Sequence, residues 1–292
     1  MSLTAALLED RGVVAVFGPD AGSFLQNLVT CDVLKLAPLN ASLGALLSPQ
    51  GKIFCDFLIS RDDEDGFLID ITRALARDLV HKLTLYRLRA KVEIVDVSEQ
   101  LAVAALWGQD AVIGEGICYR DPRHPRLGQR AFLPRQDAPA LLAAAAAILA
   151  DANAYHSHRV ALAIPEGGKD FTLGDTFPHE ADFDRLGGVD FAKGCYVGQE
   201  VVSRMEHRTS VRKRVVPITF GPMRPMDGQD VTCGERVIGY VGSTANGRGL
   251  AMLRLDHVAE ARATDQTLMA GSIDIHPQNP DWADFQLAGS KA

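Results

Sequence analysis

The sequence predicts an α+β chain of two or three domains that closes with a small C-terminal β-barrel. Strand-like and helical patterns alternate through the first half of the chain. A stretch rich in Gly, Pro, Asp and Phe fills 164–195, and short β-prone runs punctuated by glycine take over after Val211. With 292 residues, 47% of them hydrophobic, the chain is long enough to bury more than one core.

Taken in order, Gly12 to Phe17 reads as a buried strand. Gly18-Pro19-Asp20 supplies a turn and N-cap for a helix carrying Phe24, Leu25 and Leu28 on one face. Ala41 to Leu47 is followed by the turn Ser48-Pro49-Gln50-Gly51. Lys52 to Ser60 and Phe67 to Thr72 form a hairpin around Asp65-Gly66. A helix over 73–87 places Leu75, Leu79, Leu83 and Tyr86 on one face, and Lys91 to Val97 is a strand. Leu101 to Trp107 and Arg130 to Leu133 are further strands, followed by helices over 138–150 and 155–163. The stretch 164–195 is a long ordered loop, a place where sites concentrate. Val215 to Phe220, Arg236 to Gly242, Gly249 to Leu255 and Ile273 to Ile275 read as barrel strands.

Thirty Lys and Arg against 37 Asp and Glu give a net charge of -7, which opposes nucleic-acid binding by counterion release. The basic run Arg208 to Arg214 reads as a solvated strand entry, so no direct nucleic-acid contact is expected. No run of about 18 apolar residues exists to cross a membrane. Residues 1–11 show neither a secretory nor a transit pattern, so a cytoplasmic location is expected. Cys31, Cys55, Cys118, Cys195 and Cys233 are odd in number and contain no Cys-x-x-Cys pair, which argues for reduced thiols and against a disulfide framework or zinc site. His156 and His158 stand two apart, a poor spacing for one ion on a helix, and no metal site is expected.

The segment Lys193-Gly194-Cys195-Tyr196-Val197-Gly198-Gln199-Glu200 carries the chemistry. Two readings of Cys195 stand side by side: a small buried apolar residue, or a reactive thiol. For the second, a helix beginning near Tyr196 or Gly198 and the ammonium of Lys193 would favour thiolate, which attacks electrophiles, ligates iron or is oxidised.

This octet resembles the signature of the YgfZ family of folate-binding proteins, which is similar in fold to the glycine-cleavage T-protein aminomethyltransferase. Further resemblance lies in Phe24-Leu25-Gln26-Asn27-Leu28-Val29-Thr30-Cys31-Asp32-Val33, in Pro49-Gln50-Gly51-Lys52 followed by Asp56, and in Tyr86-Arg87-Leu88-Arg89. Gly187-Gly188-Val189-Asp190-Phe191 and Lys213-Arg214 with Gly239, Ser243 and Gly249-Leu250-Ala251 extend it. The resemblance implies a T-protein-like α+β fold with three parts. A folate-binding domain would take 1–52 plus 141–209, a ferredoxin-like α+β unit 53–140, and a β-barrel 210–292.

It also implies a tetrahydrofolate-dependent factor in assembly or repair of iron-sulfur clusters, a monomer serving iron-sulfur client proteins such as tRNA-modifying enzymes. Glu180, in Pro178-His179-Glu180, would accept the pterin's paired N–H donors, with Asp182 where many relatives carry Asn. Cys195, activated by Lys193, would carry the redox or iron-directed step, and Tyr196 would pack on the ligand. Arg87, Arg89 or Arg204 would pair with folate's anionic tail. Asp56 matches one of a pair of acidic residues of T-proteins, with Cys55 in the neighbouring place. The alternatives are a folate-dependent aminomethyltransferase or demethylase acting through Asp56, and a folate-binding regulator without chemistry.

Overall fold

The computed structural model describes residues 2–62, 66–207, 211–283 and 287. Asp65 of the expected hairpin turn and Arg208 of the basic run lie outside the described residues. The chain forms two compact units, 1–155 with 186–199 and 156–185 with 200–292.

The first unit contains, in chain order, β1 (Thr4–Leu7), β2 (Arg11–Phe17), α1 (Ala21–Gln26), β3 (Ala41–Leu47), β4 (Ile53–Arg61), β5 (Phe67–Thr72), α2 (Ala76–Arg87) and β6 (Glu93–Asp96). It continues with β7 (Leu101–Trp107), β8 (Ile117–Arg120), β9 (Gln129–Pro134), α3 (Ala138–Ala144) and β10 (Ile148–Ala150), and α4 (Ala152–Ala161) follows. Two sheets result, β3-β4-β5-β2-β6 and β10-β1-β7-β9-β8. The period of two sorts side chains between faces. On β4, Cys55, Phe57 and Ile59 enter an apolar core with Val14, Val16, Ile69, Leu79 and Leu83, while Asp56, between Cys55 and Phe57, faces the other way. On that opposite face Asp70 of β5 accepts from Arg11 of β2 at 2.6 Å and from Arg130 of β9 at 3.0 Å. One buried carboxylate thereby ties the two sheets together, with both cations desolvated and paired.

The boundary expected at residue 52 falls inside the β3–β4 hairpin, where Leu43 pairs with Leu58. Likewise 53–140 supplies β4, β5 and β6 to one sheet and β7, β8 and β9 to the other. Strand pairing across residue 52 therefore organises the unit differently from the expected cut. The alanine run also differs. Its helix stops at Ala144, Ala146 turns at φ +56°, and Ile148–Ala150 pairs parallel with β1. Ladder bonds to β1, starting with Ile148 N to Leu3 O at 2.9 Å, outweigh alanine's helix preference.

The second unit holds the loop 164–185, α5 (Gln199–Glu206), β11 (Lys213–Phe220), β12 (Asp230–Cys233), β13 (Arg236–Ala245), β14 (Arg248–Arg254), α6 (Leu255–Ala263), β15 (Leu268–Ala270) and β16 (Ile273–Pro277). A closed barrel forms in the order β11-β14-β13-β12-β15-β16, with β16 pairing back to β11. Closure removes open sheet edges. Val216, Ile218, Val241, Leu253, Val258 and Ile275 pack the interior side of strands and α6. The loop is pinned rather than free: buried Arg159 donates to Asp170 Oδ2 at 2.6 Å, and Asp170 Oδ1 accepts the Ser243 N–H of β13 at 2.8 Å.

Candidate functional site

Residues 193–199 of the octet lie in the first unit, and Glu200 belongs to the second. Asp190 starts the segment, accepting the Ala192 and Lys193 N–H groups at 2.8 and 3.0 Å while its own N–H donates to Thr30 O at 3.0 Å. Cys195 is the exposed thiol of the five. Burial pushes Cys31 and Cys118 each up to about 11 and Cys55 higher still, so those three are held as thiols. Cys233 Sγ donates to Gln266 Oε1 at 2.9 Å. Accessibility to a partner molecule therefore singles out Cys195.

Its neighbours have other tasks than the sequence suggested. Lys193 is buried, and Nζ donates to the carbonyls of Val29 at 2.6 Å and Cys31 at 2.8 Å. Burial draws its pKa below the ordinary lysine value. A desolvated ammonium needs acceptors, and these carbonyls, not the Cys195 sulfur, are the ones it uses. Lys193 thus ties the segment to the chain that follows α1. Tyr196 is buried with its ring 5.1 Å from Lys193 Nζ, and burial pushes its hydroxyl up to about 12. A ring in cation–π contact with its neighbour is a packing residue here, rather than the ligand-facing one expected. Helix α5 begins only at Gln199, because Gly198 turns at φ +82°. Cys195 therefore precedes the first helical turn, where the dipole acts.

Gly198 is where the segment meets the Ser48-to-Gly51 turn. A Cβ there would stand 2.7 Å from Ser48 O and 3.1 Å from Gly51 Cα. Gly198→Ala adds backbone strain of about 1–3 kcal/mol to that collision. A fall in unfolding free energy of at least that size, read from urea titration, is expected; unchanged stability would show that the segment is not seated on this turn.

Glu180 lies in the second unit, half-buried, in the tight turn 177–183. Its Oε2 accepts the Phe177 N–H at 2.9 Å and its carbonyl accepts the Val215 N–H of β11 at 3.0 Å. A carboxylate oriented by one internal bond keeps lone pairs for further donors, so it fits an acceptor for paired N–H groups. Arg214 of β11 underlies this turn, a residue the sequence offered only as part of a barrel pattern. It is buried and donates to His179 O at 2.7 Å, to Asp182 Oδ1 at 2.8 Å and to both carboxylate oxygens of Asp184 at 2.9 and 2.7 Å. Buried His179 places Nε2 3.0 Å from Glu206 Oε2. His179, Asp184 and Glu206 bring ligand atoms within 4.8 Å of one another, but Arg214 already neutralises Asp184, which leaves a weak cation cluster.

Asp182 sits at φ +62°, fully buried, its Oδ2 without a hydrogen-bond partner among the described residues. Burial raises its pKa from 3.8 to about 8, against the pull of Arg214. Two carboxylates share one arginine, and the one lacking a second donor keeps its proton. The folded chain then holds a proton that the unfolded chain releases near 3.8, so stability falls as pH rises from about 4 to about 8. Asp182→Asn, neutral throughout, is expected to flatten that part of the stability profile measured by urea unfolding. Parallel profiles for the two proteins would mean that Asp182 is ionised.

The remaining expected residues are dispersed. Asp56 is 7% exposed, on the β4 face away from the apolar core. Arg87 and Arg89 are exposed at the end of α2, in the first unit. Arg204, in the second, donates to Glu200 Oε1 at 2.6 Å, a solvent-screened helical pair.

Comparison with known proteins accords with this architecture. Residues 9–112 match the GCVT N-terminal domain, and 212–285 match the CAF17 C-terminal beta-barrel domain. The crystal structure of glycine cleavage system aminomethyltransferase T from Bartonella henselae superposes with a TM-score of 0.74 over 95% of this chain and 85% of that one, at 16% identity. The chain therefore has the aminomethyltransferase-like fold with a closed C-terminal barrel. The mitochondrial iron-sulfur cluster assembly factor IBA57 homolog of Mycosarcoma maydis is 36% identical over 74% of this chain, which spans 57% of that protein's length. Human mitochondrial IBA57 is 30% identical over 94% of this chain and 84% of that protein. These relatives are mitochondrial by name, which overturns the cytoplasmic location expected from the sequence. They also replace the narrower YgfZ assignment: the chain belongs to the IBA57 family of iron-sulfur cluster assembly factors.

Proposed function

We propose that this chain acts as a monomer in iron-sulfur cluster assembly, with Cys195 as its working thiol and tetrahydrofolate held through Glu180. The observation that carries the reading is the exposure of Cys195 alone among five cysteines, at the end of a segment braced by Asp190, Lys193 and Gly198. A thiolate is a soft ligand suited to iron, and one thiol cannot hold a cluster alone. The other ligands would come from an iron-sulfur client or donor protein, and clients would include tRNA-modifying enzymes.

Tetrahydrofolate supplies a reduced pterin able to carry one-carbon units. In this chain Glu180 would accept the pterin's paired donors, and Arg214 holds the turn that presents it. Aminomethyl transfer is less well supported: β4 offers the single carboxylate Asp56, and its neighbour Cys55 is buried in the opposite core. The test is complementation of cells lacking their own IBA57. Restored activity of an iron-sulfur enzyme supports the reading, and failure of the well-expressed chain to restore any contradicts it.

A further inference from the structure

At the end of α2 the chain makes a turn whose backbone geometry belongs to glycine, yet the residue there is leucine. Ala90 N–H donates to Arg87 O at 2.8 Å, and Leu88, second in that four-residue turn, sits at φ 46°, ψ -104°. Those angles lie close to the first central position of a type II′ turn, which glycine dominates because a Cβ is strained there. Nor does the side chain gain burial in return, since Leu88 is 89% exposed. The surroundings enforce the turn. Asp20 accepts the Lys91 N–H at 2.7 Å through Oδ2, and Val92 is anchored in the core. Gly18, at φ +117°, leaves room for Lys91 O, which would stand 2.5 Å from a Cβ.

Backbone strain clusters at sites of contact and ligand clamping, and the strained turn here displays an apolar side chain to solvent. Leu88 forms part of a cleft of about 370 Å³ with Phe17, 41% exposed, and with Arg87, Arg89 and Lys91. No ion pair engages those three cations among the described residues, and Glu93 is the one carboxylate lining the cleft. The cleft is thus locally cationic on a chain of net charge -7. It adjoins β6, an edge strand whose outer side pairs with no described strand.

We propose that this face docks an acidic, extended segment of a partner protein. An apolar side chain of that segment would rest on Leu88 and Phe17, and its carboxylates would meet Arg87, Arg89 and Lys91. An open strand edge accepts an extended chain through main-chain bonds, and the aliphatic Leu88 between Arg87 and Arg89 favours a peptide over the phosphate backbone of a nucleic acid. The inference does not depend on Glu180, although it uses Arg87 and Arg89, which the resemblance offered for folate's anionic tail.

The test uses the whole chain and fluorescein-labelled peptides of alternating Glu and Leu, with an alternating Lys-Leu peptide, hexaglutamate and a single-stranded oligonucleotide as comparisons. Fluorescence anisotropy should show binding of the Glu-Leu peptide in preference to all three. Leu88→Gly should weaken it about tenfold while the thermal midpoint holds or rises, since glycine relieves the turn. The double variant Arg87→Glu, Arg89→Glu should abolish it. Absent binding, equal affinity for hexaglutamate or the oligonucleotide, or unchanged affinity in the variants overturns the proposal. So does a fall in midpoint for Leu88→Gly, which would make Leu88 a structural residue.

Discussion

Cys195→Ala is expected to remove the chain's support of iron-sulfur enzymes while leaving its fold intact. The side chain is exposed, so truncation creates no cavity, and surface changes of this kind usually shift stability by less than about 0.5 kcal/mol. Function has no substitute to draw on: Cys31 and Cys55 are buried, Cys118 is held as a thiol, and Cys233 is bonded to Gln266. In cells lacking their own IBA57, the variant should accumulate as the wild type does yet restore little or no iron-sulfur enzyme activity. Cys118→Ala should restore it fully. Full restoration by Cys195→Ala would leave a scaffold or regulator without thiol chemistry.

Arg214→Leu is expected to destabilise the second unit by about 3–5 kcal/mol, the usual cost of stripping one partner from a buried ionic network. The substitution strands the Asp184 carboxylate, removes the donor to Asp182 Oδ1 and frees the His179 carbonyl. Arg214→Lys should fall between the two, because an ammonium cannot reproduce the forked pairing with Asp184. Urea unfolding read by circular dichroism measures both. Near-native stability for the leucine variant would mean that the loop 177–184 is not held by this arginine.

Elements bounded by clear turn signals or carrying a helical period were legible in the sequence. The apolar run Lys52 to Ser60 after the turn Ser48-Pro49-Gln50-Gly51 and the helical spacing of Leu79 and Leu83 correspond to β4 and α2. Short elements were not: β1, β8, β12 and β15 are three or four residues each, too few to show a period, and they exist because a neighbouring strand satisfies their backbone. The alanine run failed for a related reason, since pairing of Ile148 with β1 is a tertiary fact. At the site, the octet holds the exposed thiol among the five cysteines, but proximity in sequence misplaced Lys193. Two residues from Cys195 along the chain, its ammonium reaches instead to carbonyls more than a hundred residues away in sequence. The role of Arg214 beneath Asp182 and Asp184 was invisible for the same reason, since nothing local links a barrel strand to that loop.

The most direct measurement is calorimetric titration of the purified chain with tetrahydrofolate, for the wild type, Glu180→Gln and Glu180→Ala. Saturable binding by the wild type, weakened at least about tenfold in both variants as expected for loss of a charge-assisted pair, is the expected result. Absent binding, or equal affinity in all three proteins, would contradict folate recognition through Glu180 and leave the chain with an aminomethyltransferase-like fold put to a different use.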